Sequence, residues 1–142
     1  MDQQSLKASI EKIMDESYVG TLATVKQNKP FTRYMTFQHQ DLKLYTATSK
    51  ATDKTEEIEE NPYVHVLLGY EGEGFGDDYV EYEGKATINT SQELKDKLWN
   101  DYMENWFDGP TDENFVVLEI EPKQIQLMNK KGEAPQVLQL HE

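Results

Sequence analysis

Short segments rich in β-branched and aromatic residues, each closed off by turn residues, recur from Gly20 to Met128 and leave little room for anything but a small antiparallel β fold. Gly20-Thr21-Leu22-Ala23-Thr24-Val25 is β-rich, Lys26 to Lys29 is a polar turn, and Pro30 to Gln38 (PFTRYMTFQ) is β-branched and aromatic again. The pair reads as a hairpin. After a turn at His39-Gln40-Asp41, residues Leu42 to Thr46 alternate as a third strand. Tyr63 to Tyr70 is nearly continuous in apolar residues at its centre, the mark of a strand covered on both faces. Tyr79 to Asn89 is a long alternating strand with Gly84 as the expected bulge or bend. Phe115 to Ile120 and, beyond Pro122, Ile125 to Met128 complete seven strand segments.

Helical periodicity is confined to short stretches. Leu6, Ile10, Ile13 and Met14 mark an amphipathic helix near the N-terminus. Thr52 to Glu60 is helical in composition, with Asp53 and Glu56 spaced as a capping box and Asn61-Pro62 as a stop. A second capping box, Thr90 and Glu93, opens a helix expected to run to about Asn105, with Leu94, Leu98, Tyr102 and Trp106 on one face. The fold class is mainly β (α+β): a small closed antiparallel barrel with short flanking helices, in one domain over residues 1–142.

Charge and cysteine usage then narrow the function. With 27 acidic and 14 basic residues the chain carries a net charge of -13, which repels nucleic acid and anionic lipid, so neither is an expected partner. There is no cysteine, hence no disulfide, thiol nucleophile or thiolate metal site, and redox chemistry would need a cofactor. The start Met1-Asp2-Gln3-Gln4-Ser5 lacks the features of a signal peptide, and no apolar run approaches membrane-spanning length; the expected location is the cytoplasm. His39, His65 and His141 fall in a turn, a strand and the tail, without metal or triad spacing, so no metal is expected. Gly72-Glu73-Gly74-Phe75-Gly76 follows a strand without opening a helix and reads as a hairpin loop, not a dinucleotide fingerprint.

One segment does carry chemistry. The sole arginine, Arg33, lies on a strand two residues before Met35; Thr46 and Thr48 end the next strand; and Ser49, Lys50, Thr52 and Lys54 begin a helix. Hydroxyls, cations and free N–H groups at a helix N-terminus make an anion site, with Arg33 able to bind a phosphate bidentately and Lys54 as a point charge. A surface arginine, a Thr-rich loop and a helix cap would read the same way in a purely structural role.

The order Gly20 to Val25, Pro30, Arg33 to Phe37, Leu44-Tyr45-Thr46, Lys54, Glu59-Glu60-Asn61-Pro62, Val64, Gly84-Lys85-Ala86 and Trp106 to Pro110 resembles the pyridoxamine 5'-phosphate oxidase-like split β-barrel family, above all its branch of bacterial general stress proteins. The resemblance spans nearly the whole chain. It implies a six-stranded split barrel, a homodimer, and FMN in a cleft at each end of the subunit interface. It assigns Arg33 and Lys54 to the FMN phosphate, Tyr45-Thr46 to its surroundings, and the backbone at Met35 to the isoalloxazine ring; Tyr34, Thr36, Thr48 and Trp106 join the expected cofactor-binding set. Trp106 fits a core or interface role better at its spacing from Leu98 and Tyr102. Asp53 stands where oxidases of the family carry an arginine, Gln38 replaces a strand lysine, Tyr79 a glutamine and Met128 a tryptophan, and the C-terminal segment that binds the vitamin is not seen. A true pyridoxamine phosphate oxidase is therefore not expected.

The function expected is that of an FMN-binding general stress protein, a flavin-dependent oxidoreductase of unassigned substrate with no catalytic side chain named. The rival reading is a cofactor-free dimer that acts by interaction or ligand sequestration on the same barrel. FAD or a deazaflavin is not separable from FMN by sequence, and haem is disfavoured by the lack of a placed histidine.

Overall fold

A computed structural model describes residues 2–72, 77–130 and 133–140, the side chains of Asp53 and Lys54 excepted. Most of the glycine-rich stretch at Gly72 to Gly76 lies outside the described residues. Helix α1 (Gln3–Glu16) is followed by strands β1 (Val19–Lys26), β2 (Lys29–Thr36), β3 (Gln38–Gln40) and β4 (Lys43–Ser49). Helix α2 (Asp53–Glu60) leads to β5 (Tyr63–Leu68) and β6 (Tyr79–Asn89); helix α3 (Gln92–Leu98) and a 3-10 turn at Asp101–Asn105 lead to β7 (Phe115–Met128) and β8 (Gln136–Leu138).

All described strand pairs are antiparallel, in the order β2-β1-β5-β6-β7-β4-β3, with β8 pairing β7 farther along the edge that β4 occupies. The β1–β2 hairpin turns through Gln27 and Asn28, both at positive φ (52° and 62°), the geometry whose twist matches that of the flanking strands. The sheet curls until β2 meets β4: the Thr46 hydroxyl donates to the Thr36 carbonyl at 2.8 Å. The architecture is the expected split barrel, but with eight strands in place of six. The two extra strands, β3 and β8, are three residues each; Phe37 turns inward into the core and ends β2, so that Gln38–Gln40 pairs β4 as a separate piece.

The inner face follows from alternation. Leu22, Val64, Val66, Leu68, Val80, Tyr82, Ile120 and Ile125 pack with Leu6, Ile10 and Met14 of α1, all almost wholly buried. A smaller cluster of Tyr45, Leu98, Met103, Phe107, Phe115 and Val117 closes the far end. Gly20 is required where β1 passes β5, since a Cβ there would lie 2.4 Å from the Leu67 carbonyl oxygen.

Five expectations need correction. Pro122 does not separate two strands: it lies opposite the bulge at Gly84, beyond the last residue paired with β4 (Ile120) and before the first paired with β8 (Ile125), so neither β4 nor β8 pairs with it. Strand β5 is buried on one face only, with Tyr63, His65 and Leu67 outward. Thr52, not Asp53, caps α2, and without a side-chain hydrogen bond. Ser91, not Thr90, caps α3, accepting from the Leu94 N–H at 3.4 Å, and the helix stops at Leu98, which takes Tyr102 and Trp106 off its apolar face. No described helix is long and apolar enough to cross a membrane.

Candidate functional site

Where β2 and β4 approach each other without a continuous ladder, the barrel is split, and the split opens into a cleft of about 350 Å³. Its size falls within the range of small-molecule sites. Strand β2 contributes Tyr34, Met35 and Thr36; β4 contributes Thr46, Ala47, Thr48 and Ser49; Thr52 comes from the start of α2. Val19 and the segment Tyr102, Met103, Trp106 and Phe107 form the remaining wall. The cleft is divided chemically. Hydroxyls of Thr48, Ser49 and Thr52 gather at the N-terminal end of α2, with the Thr48 and Thr52 oxygens 3.5 Å apart, whereas Val19, Met35, Trp106 and Phe107 are apolar.

Six of the nine residues selected from the sequence, Tyr34, Met35, Thr36, Thr46, Thr48 and Trp106, therefore line one cleft. Tyr34 is 80% and Trp106 70% exposed at its mouth, and Trp106 stands edge-on to Tyr102 with ring centroids 6.4 Å apart. The broken helix is the physical reason that Trp106 reaches the cleft and leaves the core. Tyr45 lies behind, on a void of about 10 Å³ shared with Thr36, Gln38 and Thr46. Gln38 donates to the Leu98 carbonyl at 2.8 Å and so ties the floor of the cleft to α3. Lys54 belongs to the first turn of α2 beside Thr52.

Arg33 is placed differently. It shares the inner face of β2 with Met35, yet its Nη1 donates to the Thr24 hydroxyl at 2.7 Å and its Nη2 to Glu57 Oε2 at 3.3 Å, while Thr24 itself donates to the same carboxylate oxygen at 3.1 Å. Glu57 is 5% exposed and projects from α2, the helix whose N-cap Thr52 lines the cleft. The guanidinium thus lies beside the cleft wall, joined to its helix. Val19, Ala47, Met103, Phe107 and Glu57 were not legible as site residues. Ala47 falls between two selected threonines, but Glu57 is one acid among several in an acidic helix and carries no distinguishing pattern.

Among the described residues the wall of the cleft holds no carboxylate, histidine or ammonium group. Burial pushes the Tyr102 phenol up from 10.0, and burial followed by the nearby Glu119 charge does the same to Tyr45, so both are neutral donors at physiological pH. Such a surface can hold a planar aromatic group against Met35 and Trp106 and an anion among hydroxyls and helix N–H groups, while supplying no acid or base poised near neutrality.

This split barrel with its cleft is that of the pyridoxamine 5'-phosphate oxidase family, whose model matches residues 6–129, and the chain belongs to that family. Within it the chain falls in the general stress protein 26 branch: it is 56% identical to general stress protein 26 of Bacillus subtilis (strain 168) over 99% of this chain and 100% of that protein. The crystal structure of general stress protein 26 from Bacillus anthracis is similar at 38% identity and a TM-score of 0.85, over 95% of this chain and 98% of that one. A protein from Mesorhizobium loti described as FAD-binding shares the fold at 22% identity and a TM-score of 0.70, over 83% of this chain and 90% of the other.

Proposed function

We propose that this chain is a homodimeric FMN-binding protein and serves as a flavin-dependent oxidoreductase in the cytoplasm. The observation that carries the proposal is the convergence of Tyr34, Met35, Thr36, Thr46, Thr48 and Trp106 on a single cleft that is apolar on one side and hydroxyl-lined at a helix N-terminus on the other. That division fits a flavin mononucleotide, with the ring against Met35 and Trp106 and the phosphate toward Thr48, Ser49, Thr52, Lys54 and Arg33. The flavin, when bound, supplies the electron transfer. The chain's own residues orient the ring, hold the phosphate and exclude water. The FAD-binding description of the Mesorhizobium loti protein supports a flavin as the ligand class.

Exposed Val19, Tyr34 and Trp106 around the mouth support a second copy as the cover of the cleft, since contiguous apolar surface of this kind marks an interface. Titration of the purified protein with FMN tests the proposal. The visible flavin bands are expected to shift, and Arg33→Ala or Lys54→Ala to weaken binding by about tenfold or more, because each removes a charge-assisted phosphate contact. Unshifted bands would sink the FMN reading and leave the cofactor-free dimer.

A further inference from the structure

Two groups hold the only guanidinium of this chain in place. The Thr24 hydroxyl, wholly buried, accepts from Nη1 at 2.7 Å, and the Glu57 carboxylate accepts from Nη2 at 3.3 Å and from Thr24 at 3.1 Å. A guanidinium has five N–H donors, so three remain for another acceptor. Among the described residues Arg33 is the only cation that forms an ion pair with Glu57. Replacing a buried ion pair by apolar side chains is often neutral or stabilising, so the distinctive effect of this one is placement and charge balance rather than stability.

We propose that Glu57 sets the phosphate affinity of the cleft: it positions the Arg33 fork against β2 and α2, and it neutralises a charge for which an arriving phosphate must then compete. The ligand's identity as a flavin phosphate rests on the function proposed above, but the competition concerns any phosphate group. The setting makes Glu57 a strong lever. In a chain of net charge -13 little background positive field attracts an anion, and a carboxylate within hydrogen-bonding distance of the anchor opposes it more than any remote acid. Glutamine at the same position keeps an acceptor oxygen for Nη2 and Thr24 while removing the charge. The fork stays placed and its positive charge is freed.

The test compares wild type, Glu57→Gln, Glu57→Asp and the double variant Arg33→Met/Glu57→Gln, each titrated with inorganic phosphate, FMN and riboflavin. Glu57→Gln is expected to bind phosphate and FMN about tenfold more tightly while riboflavin, which lacks the phosphate, changes by less than about twofold. Glu57→Asp, which withdraws the carboxylate by one methylene, is expected to fall between wild type and Glu57→Gln. The double variant is expected to lose the whole gain. An unchanged FMN-to-riboflavin ratio in both single variants overturns the proposal, as does a gain that survives the loss of Arg33. Should Glu57→Gln fail to fold, the ratio in Glu57→Asp decides alone. If wild type binds neither flavin, the cofactor reading fails and the inorganic phosphate titration judges Glu57: an Arg33-dependent gain sustains its role, and no gain ends it.

Discussion

At the scale of single residues, no buried side-chain nitrogen or oxygen among the described residues lacks a hydrogen-bond partner. Tyr82 is fully buried at the centre of β6, and its single hydroxyl proton is shared between the carbonyls of Leu42 at 2.6 Å and Ile120 at 3.1 Å, joining the loop before β4 to the middle of β7. Tyr82→Phe keeps the ring and deletes the donor, and is expected to lower stability by about 1–2 kcal/mol. The same residue shapes the alkaline limit. Burial pushes its phenol far above the ordinary 10.0, so the folded state holds a proton that the unfolded chain releases. Its contribution is fully present below the unfolded value and is lost as pH rises past it, at up to about 1.4 kcal/mol per pH unit. Urea unfolding at about pH 8 and about pH 11 is expected to show a shallower decline in Tyr82→Phe than in wild type. Some decline remains, because burial also raises Tyr45, Tyr79 and Tyr102. Equal slopes in the two proteins would assign the alkaline loss to those tyrosines instead.

At the scale of elements, what could be read from the sequence tracks how local each element's cause is. The β1–β2 hairpin, α1 and the Gly84 bulge follow from turn residues, a 3.6-residue apolar repeat and one glycine, all within a few positions. The continuity of β7 through Pro122 was not legible, because it depends on pairing with β6 and β4, elements far back along the chain. The break after Leu98 escaped for a related reason: helical spacing survives in the sequence, while the Trp99 to Phe115 ring contact at 5.7 Å belongs to the tertiary fold. Most of the cleft was legible because its residues lie on β2, β4 and the start of α2, within one short stretch of sequence; the Arg33–Glu57 pairing was not, since nothing in a helix of five acids marks which one turns inward. The bulge gives a prediction at this scale. A Cβ at Gly84 would lie 2.5 Å from Ile120 Cγ2 and 2.9 Å from the Glu121 carbonyl oxygen, so Gly84→Ala must push β6 and β7 apart where their register shifts. The expected cost is about 1–3 kcal/mol, read by chemical denaturation, against about 2–5 kcal/mol for emptying the α1 plug with Ile10→Ala. If Gly84→Ala costs nothing, the bulge relaxes more freely than its packing implies.

At the scale of the whole molecule, the outer face of the sheet decides whether the proposed dimer forms. Strand register places Tyr34, Thr21 and Leu67 in one row across β2, β1 and β5, and Tyr63 stands on the same face of β5 beyond His65. Leu67 is 40% and Tyr63 60% exposed in the single chain, on a strand whose composition suits burial on both faces. Leu67 lies outside the cleft, so a change there tests association without touching the proposed cofactor contacts. Leu67→Glu places a charge in the centre of this face, where burial would cost several kcal/mol without a partner. It is expected to sediment as a monomer under conditions where wild type sediments as a dimer. Because each copy carries a net charge of -13, association of the wild type is also expected to strengthen as salt screens the mutual repulsion, most steeply below about 0.15 M ionic strength, where the screening length exceeds about 8 Å. The two measurements together separate apolar association from charge pairing, since a dimer held by ion pairs would weaken with salt. A Leu67→Glu monomer that binds FMN as tightly as wild type would show that one chain completes the cleft; a matching loss of flavin would show that the second copy supplies part of its wall.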